Sequence, residues 1–209
     1  MKVFAVILVY SVAVFIVNYL LIDIEDLVVR QFLTQEHLEI SESVILETIE
    51  YLKYWNKFSV IFTFLLLSLK SITIALVLYT GLFFAGLHES YNLKGLFRIS
   101  VYAECILVIA GLVKIIVIST KDYSYDLLIH YYPLSLLSLF EYGDVNKLFL
   151  YPLQLANLFE LSYVFLLIYF LKEEMVISFG KSFQIVISSY GTAMVCWVVF
   201  IMFYTLNFS

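Results

Sequence analysis

Tyr151-Pro-Leu-Gln-Leu-Ala-Asn-Leu-Phe-Glu-Leu-Ser-Tyr-Val-Phe-Leu-Leu-Ile-Tyr-Phe-Leu171 is the stretch on which the architecture turns. From Pro152 onward it is 20 residues long, about what a helix needs to cross a hydrocarbon core of about 30 Å. Proline fixes φ and has no N–H to donate, so it suits the first turn of a helix, where that N–H has no helical partner. Pro152 therefore predicts a helix start and a crossing over 152–171. The first ten residues of the stretch echo residues 132–141, Tyr-Pro-Leu-Ser-Leu-Leu-Ser-Leu-Phe-Glu, with seven of ten positions identical. Pro133 and Pro152, the only two prolines, occupy equivalent places. Leu-rich chains produce such echoes by chance, so two helix starts follow more safely than a duplication. Each predicted start carries a carboxylate about two turns in, Glu141 and Glu160.

Composition makes the membrane the right frame. The chain has 209 residues, of which 63% are hydrophobic and 14% charged, and its mean hydropathy is +0.99. Soluble domains are about 45–50% apolar and about 25% charged. The expected fold is all-α: an integral membrane helical bundle of five transmembrane helices plus a short outer interfacial helix at 133–141. Besides 152–171, the apolar runs are 3–22, 58–79, 99–119 and 183–204. The first follows Lys2 and begins like a secretory signal, but it ends at Ile22-Asp23 without a small-x-small cleavage site, so it is expected to remain a membrane helix.

Residues 23–57 hold eight of the 17 acidic residues and read as an acidic extramembrane helical hairpin. Its turn falls at 34–40, its second helix is capped by Ser41 or Ser43, and Tyr51, Tyr54 and Trp55 form an interfacial belt. This hairpin either links two spans or docks a partner. Residues 121–151 read as an interfacial or re-entrant segment, too short in its apolar part to cross and broken by Gly143 and Asp144. Lys2, Lys94, Arg98, Lys172 and Lys181 lie in short segments, so the positive-inside rule predicts a cytoplasmic N-terminus, in a bacterial inner (plasma) membrane.

Four ionisable residues fall inside the predicted spans: Lys70, Glu104, Lys114 and Glu160. An unpaired charge at a helix centre costs at least about 2.5–3.5 kcal/mol, so partners are expected. At a rise of about 1.5 Å per residue, Lys114 and Glu160 lie about 9 and 12 Å below the outer ends of their spans, and Lys70 and Glu104 lie near mid-membrane. Two interhelical pairs follow, Lys114–Glu160 and Lys70–Glu104. Such pairs either fix helix register or belong to an ion or proton path. Gln154, Asn157 and Glu160 recur at helical spacing as a polar stripe, which either hydrogen-bonds neighbouring helices or lines a wet vestibule.

Other chemistry is not signalled. A net charge of −5 and the lack of a basic run argue against nucleic acid as a partner. Cys105 and Cys196 sit in apolar runs and read as packing residues. His37, His88 and His130 fall outside the runs. No catalytic motif, metal-ligand cluster or cofactor fingerprint is present, so no enzyme is expected. The expected partners are the lipid bilayer and other membrane-protein subunits. The leading expectation is a non-enzymatic subunit or scaffold of a membrane complex (transport or secretion machinery), docking through its acidic hairpin. The rival is a small ion- or proton-coupled transporter or channel subunit that uses Lys70, Glu104, Lys114 and Glu160.

Three pieces of the chain carry a family resemblance: Gly86 followed by Leu93-Lys-Gly-Leu-Phe-Arg-Ile-Ser-Val-Tyr-Ala103, then Asn157-Leu-Phe-Glu-Leu-Ser-Tyr163, then Lys181-Ser-Phe183. A short Lys/Phe loop before a "Tyr-Ala" span, and a later aromatic span leading by a short turn into the last helix, resemble the YIP1-like family of polytopic membrane proteins. The resemblance covers roughly the C-terminal 60% of the chain. It implies a helical bundle without catalytic residues. The N-terminal span and acidic hairpin depart from the family pattern, and so does the short apolar stretch before residue 141.

Overall fold

The structure, a computed structural model, describes residues 2–23, 25–26, 28–29, 42–87, 89, 91–120, 131–140 and 145–208. Its described part is built of helices: α1 (Lys2–Leu21), α2 (Glu42–Asn56), α3 (Ser59–Phe84), α4 (Leu93–Ala103), α5 (Cys105–Ser119), α6 (Lys147–Leu155), α7 (Leu158–Met175), α8 (Phe179–Val186) and α9 (Thr192–Phe208). Glu104 joins α4 to α5, and a π-helical turn, Ile187–Gly191, joins α8 to α9. Four helices are long and apolar enough to cross a membrane: Lys2–Leu21, Ser59–Phe84, Leu93–Ser119 and Phe179–Phe208. They make the chain a multi-pass membrane protein. Leu158–Met175 carries Glu160, Lys172, Glu173 and Glu174 and is not among the four.

Local chemistry sets the helix starts. Asn92 caps α4 by accepting from the Gly95 N–H at 2.9 Å, and Asn146 caps α6 by accepting from the Leu148 N–H at 3.0 Å. Asn157 caps α7 by accepting from the Glu160 N–H at 2.7 Å, and Ser178 caps α8. Each satisfies an N–H that the first helical turn leaves without a backbone partner. Val176, with φ of 54°, ends α7 in the left-handed region and lets the chain reverse into α8.

The core lies where α3, α4, α7 and α8 meet, around Leu78, Leu82, Leu96, Tyr163, Leu167 and Val186. Glycine permits one tight contact in it. A Cβ on Gly81 would stand 2.7 Å from the Ser189 Cβ, so α3 and the π-turn approach closely only because Gly81 has none. Elsewhere the surface is apolar, as lipid contact requires. On α2, Tyr51, Tyr54 and Trp55 are exposed and pack edge to edge, continuing to Phe58 at the start of α3.

The turns Ala85–Asn92 and Val176–Ser178 sit at one end of the bundle. Arg98 and Glu174 tie them together as an ion pair. Tyr91 lies over Gly95 in the same place. Burial, with Glu174 beside it, pushes the Tyr91 phenol up to about 12.

The hairpin is described only in part. Lys53 of α2 forms an ion pair with Glu25 beyond α1. The expected turn at 34–40, the possible cap Ser41, the three histidines His37, His88 and His130, residues 121–130, and Glu141, Gly143 and Asp144 lie outside the described residues.

The segment around Pro133 differs from the expected helix at 133–141. Pro133 is buried in a turn, Leu134 takes a φ of 56°, and only a single 3-10 turn follows, Leu136–Leu139. Pro152 does not start a crossing either: it lies inside α6, which Asn146 has already opened.

Two measurements check this packing. Gly81→Ala should destabilise the protein by about 1–3 kcal/mol through overpacking, while Gly111→Ala, with nothing within 4 Å of its would-be Cβ, should be neutral in thermal unfolding in detergent. A phenol raised in the folded state stabilises fully below its unfolded pKa and loses that contribution as pH rises through the folded one. The Tyr91 contribution should therefore be complete below pH 10 and lost as pH approaches about 12, and Tyr91→Phe should flatten that part of an alkaline stability profile.

Candidate functional site: a polar layer at mid-membrane

Counting from the paired turns places the buried polar groups at one level. At about 1.5 Å per residue, Glu104 and Tyr190 lie about 17 Å from that end, Tyr163 about 18 Å, Lys70 about 21 Å and Glu160 about 23 Å. This is the middle of the bundle, and four elements contribute to it: α3, the α4–α5 junction, α7 and the π-turn.

Lys70 Nζ donates to Glu104 Oε1 at 2.6 Å. The two ends of this bond are unequal: 42% of the Lys70 side chain is exposed and only 4% of that of Glu104. The ammonium also stands 5.5 Å from the centre of the Tyr163 ring, an electrostatically favourable place for a cation. Tyr163 is fully buried. Among the described residues its hydroxyl has no hydrogen-bond partner, nor has Glu104 Oε2, nor Ser100 Oγ one turn before Glu104 on α4. Buried groups of this kind are normally satisfied, so each calls for an account.

Glu160 is the second buried carboxylate, and it takes a different partner. The Tyr190 hydroxyl donates to Glu160 Oε1 at 2.6 Å. The Tyr163 and Tyr190 rings lie 5.6 Å apart at 60°. Glu160 thus has a tyrosine hydroxyl as its side-chain partner, and that tyrosine packs on the ring of Tyr163.

The expected Lys114–Glu160 pair is not formed. Lys114 stands about 32 Å from the paired turns, roughly 9 Å beyond Glu160, and its Nζ faces the ring of Tyr132 at 6.0 Å. The depth expected for Glu160 assumed an unbroken helix from Pro152. In the structure the helix stops at Leu155, Ala156 leaves the helical region with ψ of 81°, and α7 begins anew after Asn157. Glu160 is therefore at the third position of a helix that starts inside the bundle.

The same break divides the expected polar stripe. Gln154 belongs to α6, while Asn157 is the cap of α7 and also donates to the Gln154 and Leu155 carbonyls, both at 3.0 Å. The Asn157-x-x-Glu160 spacing was the readable signal for this start, since Asn followed three residues later by Glu marks a helix N-terminus. Tyr190 was not singled out, although Ser188-Ser-Tyr-Gly-Thr192 is a polar island in an otherwise apolar run.

The backbone of the break is satisfied by the segment around Ser135. The Leu136 N–H donates to the Ala156 carbonyl at 2.9 Å, and the Leu158 N–H donates to the Leu134 carbonyl at 3.2 Å. Ser135 and Asn157 face each other as one antiparallel bridge. Above it, α6 packs on α9, where Trp197 Nε1 donates to the Tyr151 hydroxyl at 2.7 Å.

Comparison with protein families, characterised proteins and solved structures found no match.

Removing one partner of the central pair isolates its electrostatics. Lys70→Met leaves the Glu104 carboxylate buried without its cation and should cost about 3–5 kcal/mol. Lys70→Met with Glu104→Gln should recover most of that loss, as read by thermal unfolding in one detergent.

Proposed function

We propose that this chain is an ion- or proton-coupled membrane transporter or channel subunit whose mid-membrane polar layer binds the transported cation. The observation that carries this reading is the placing of two buried carboxylates, Glu104 and Glu160, within about 6 Å of depth of each other, the first bonded to Lys70 and the second to Tyr190. Intramembrane carboxylates mark ion and proton paths, and binding sites of transporters gather at interrupted helices near the midplane. On this reading α7 is a fifth crossing: Glu160 and Tyr163 face the bundle, while Leu158, Leu161 and Phe165 on the opposite face are exposed to lipid. The ends bearing Lys94, Arg98, Lys172 and Lys181 come together at one side, which supports a cytoplasmic placing for them and for the N-terminus. An inner-membrane location belongs to the same proposal.

A second reading, a subunit of a larger membrane complex, is favoured by α2. That helix presents Glu47 and Glu50 beside exposed Tyr51, Tyr54 and Trp55, a surface suited to a partner outside the bilayer. The YIP1-like resemblance is a further proposal. It rests on the quoted stretches, of which 93–103 forms α4 and 157–163 opens α7.

Purified protein in liposomes, given in turn a proton, Na⁺ or K⁺ gradient, tests the first reading. Flux of one of these ions that Glu104→Gln and Glu160→Gln each reduce supports it. No flux of any of the three, with a stoichiometric membrane partner recovered in mild detergent, would replace it with the second.

A further inference from the structure

The three unpartnered groups in the polar layer point to more than a static binding site. Glu104 and Glu160 are 3% and 9% exposed, and Tyr163 between them is fully buried. Tyr190 already donates to Glu160. Lys70 occupies Glu104 Oε1 and leaves Glu104 Oε2 free. A metal cation would have to share Glu104 with an ammonium that is already bonded to it. A proton needs only an oxygen lone pair, and Oε2 offers one.

We propose that the transported ion is a proton, passed between Glu104 and Glu160 through the hydroxyls of Tyr163 and Tyr190. This rests on the transport reading above and names its substrate. The proton occupies Glu104 as a carboxylic acid, O–H on Oε2. One water molecule carries it across the gap to Tyr163 Oη. Tyr163, whose ring lies 5.6 Å from that of Tyr190, gives its own proton to Tyr190 Oη through a second water that gains one proton and loses one, and Tyr190 gives its own to Glu160 Oε1, to which it is already hydrogen-bonded. The O–H bonds broken are on Glu104, Tyr163 and Tyr190; those formed are on Tyr163, Tyr190 and Glu160. The first water likewise gains one proton and loses one. Glu104 ends as a carboxylate, Glu160 as an acid, and both phenols are unchanged.

The groups facing the path fit such a transfer. Around Glu104 stand Lys70 from α3, Tyr163 from α7 and Tyr10 from α1, with Cys105 next in the chain. When Glu104 gives up its proton, Lys70 supplies the countercharge at 2.6 Å. Around Glu160 stand Tyr190 and Tyr163, with Tyr132 and Tyr151 further off. Glu160 forms no ion pair among the described residues, and its side-chain partner is the Tyr190 hydroxyl.

The test uses Tyr163→Phe and Tyr190→Phe, which keep the rings and remove one hydroxyl each, with thermal unfolding as the control for folding. In liposomes under a potential, each should lower proton flux by about 100-fold or more, the scale of a lost proton-transfer group. Infrared difference spectra on acidification should show two carboxylic-acid bands, one absent in Glu104→Gln and the other in Glu160→Gln. Na⁺ or K⁺ flux that Tyr163→Phe leaves at the wild-type level overturns the relay but keeps the transport reading. Proton flux unchanged in both tyrosine variants also overturns the relay alone. No flux of any ion, with no carboxylic-acid band in the spectra, overturns both.

Discussion

A backbone N–H or carbonyl without a partner in a hydrocarbon core costs several kcal/mol, so a helix cannot stop inside a membrane unless something completes it. That constraint organises the second half of this protein. The chain stops being helical at Ala156 and resumes at Leu158. Two backbone hydrogen bonds from the Leu134–Leu136 strip, and the Asn157 side chain, take up the groups the break exposes. Leu134 adopts a positive φ to deliver its carbonyl, a conformation that costs a non-glycine residue roughly 1–2 kcal/mol. That cost is smaller than the penalty for the unpaired groups it removes.

The break in turn decides where Glu160 stands. A single unbroken helix from Pro152 is what the expected Lys114–Glu160 pair assumed. Starting anew at Leu158 puts Glu160 beside the π-turn instead. The π-turn widens the helix at Ile187–Gly191, Gly81 leaves room for Ser189, and Tyr190 is aimed at the carboxylate. Break, turn and glycine are thus three parts of one arrangement, and each loses its purpose without the others.

What could be read from the residues follows the same line. The apolar runs were legible because composition and length alone select them, and the runs starting near 3, 58, 99 and 183 became helices with ends shifted by one to six residues. Lys70 beside Glu104 was legible because both lie on stretches without a break, so counting at a constant rise gives their depth correctly. Glu160 was not, since the count ran from Pro152 through a helix that ends at Leu155, while Glu160 is the third residue of a new helix that starts at Leu158. Pro152 sits in the interior of a short helix, where it withholds an N–H from the Leu148 carbonyl. The Glu160 partner was missed for another reason: charge was expected to meet charge, and Tyr190 is neutral.

That last point explains how one layer can hold two carboxylates and a single lysine. Glu104 is the residue that precedes α5, where its side chain makes no capping hydrogen bond to that helix, and it takes an ammonium. Glu160 occupies the third position of α7, where the unpaired N–H groups of the first turn present the positive end of the helix. Together with the Tyr190 hydroxyl, that end fills the place a cation would otherwise take. Position along a helix has thus replaced a side-chain charge. Lys114 is left over for the same reason, at the outer end of α5 against the Tyr132 ring, where its long stem can carry the ammonium toward the surface. The two carboxylates consequently differ in their partners: one meets an ammonium, the other a tyrosine hydroxyl and the N–H groups of its own first turn.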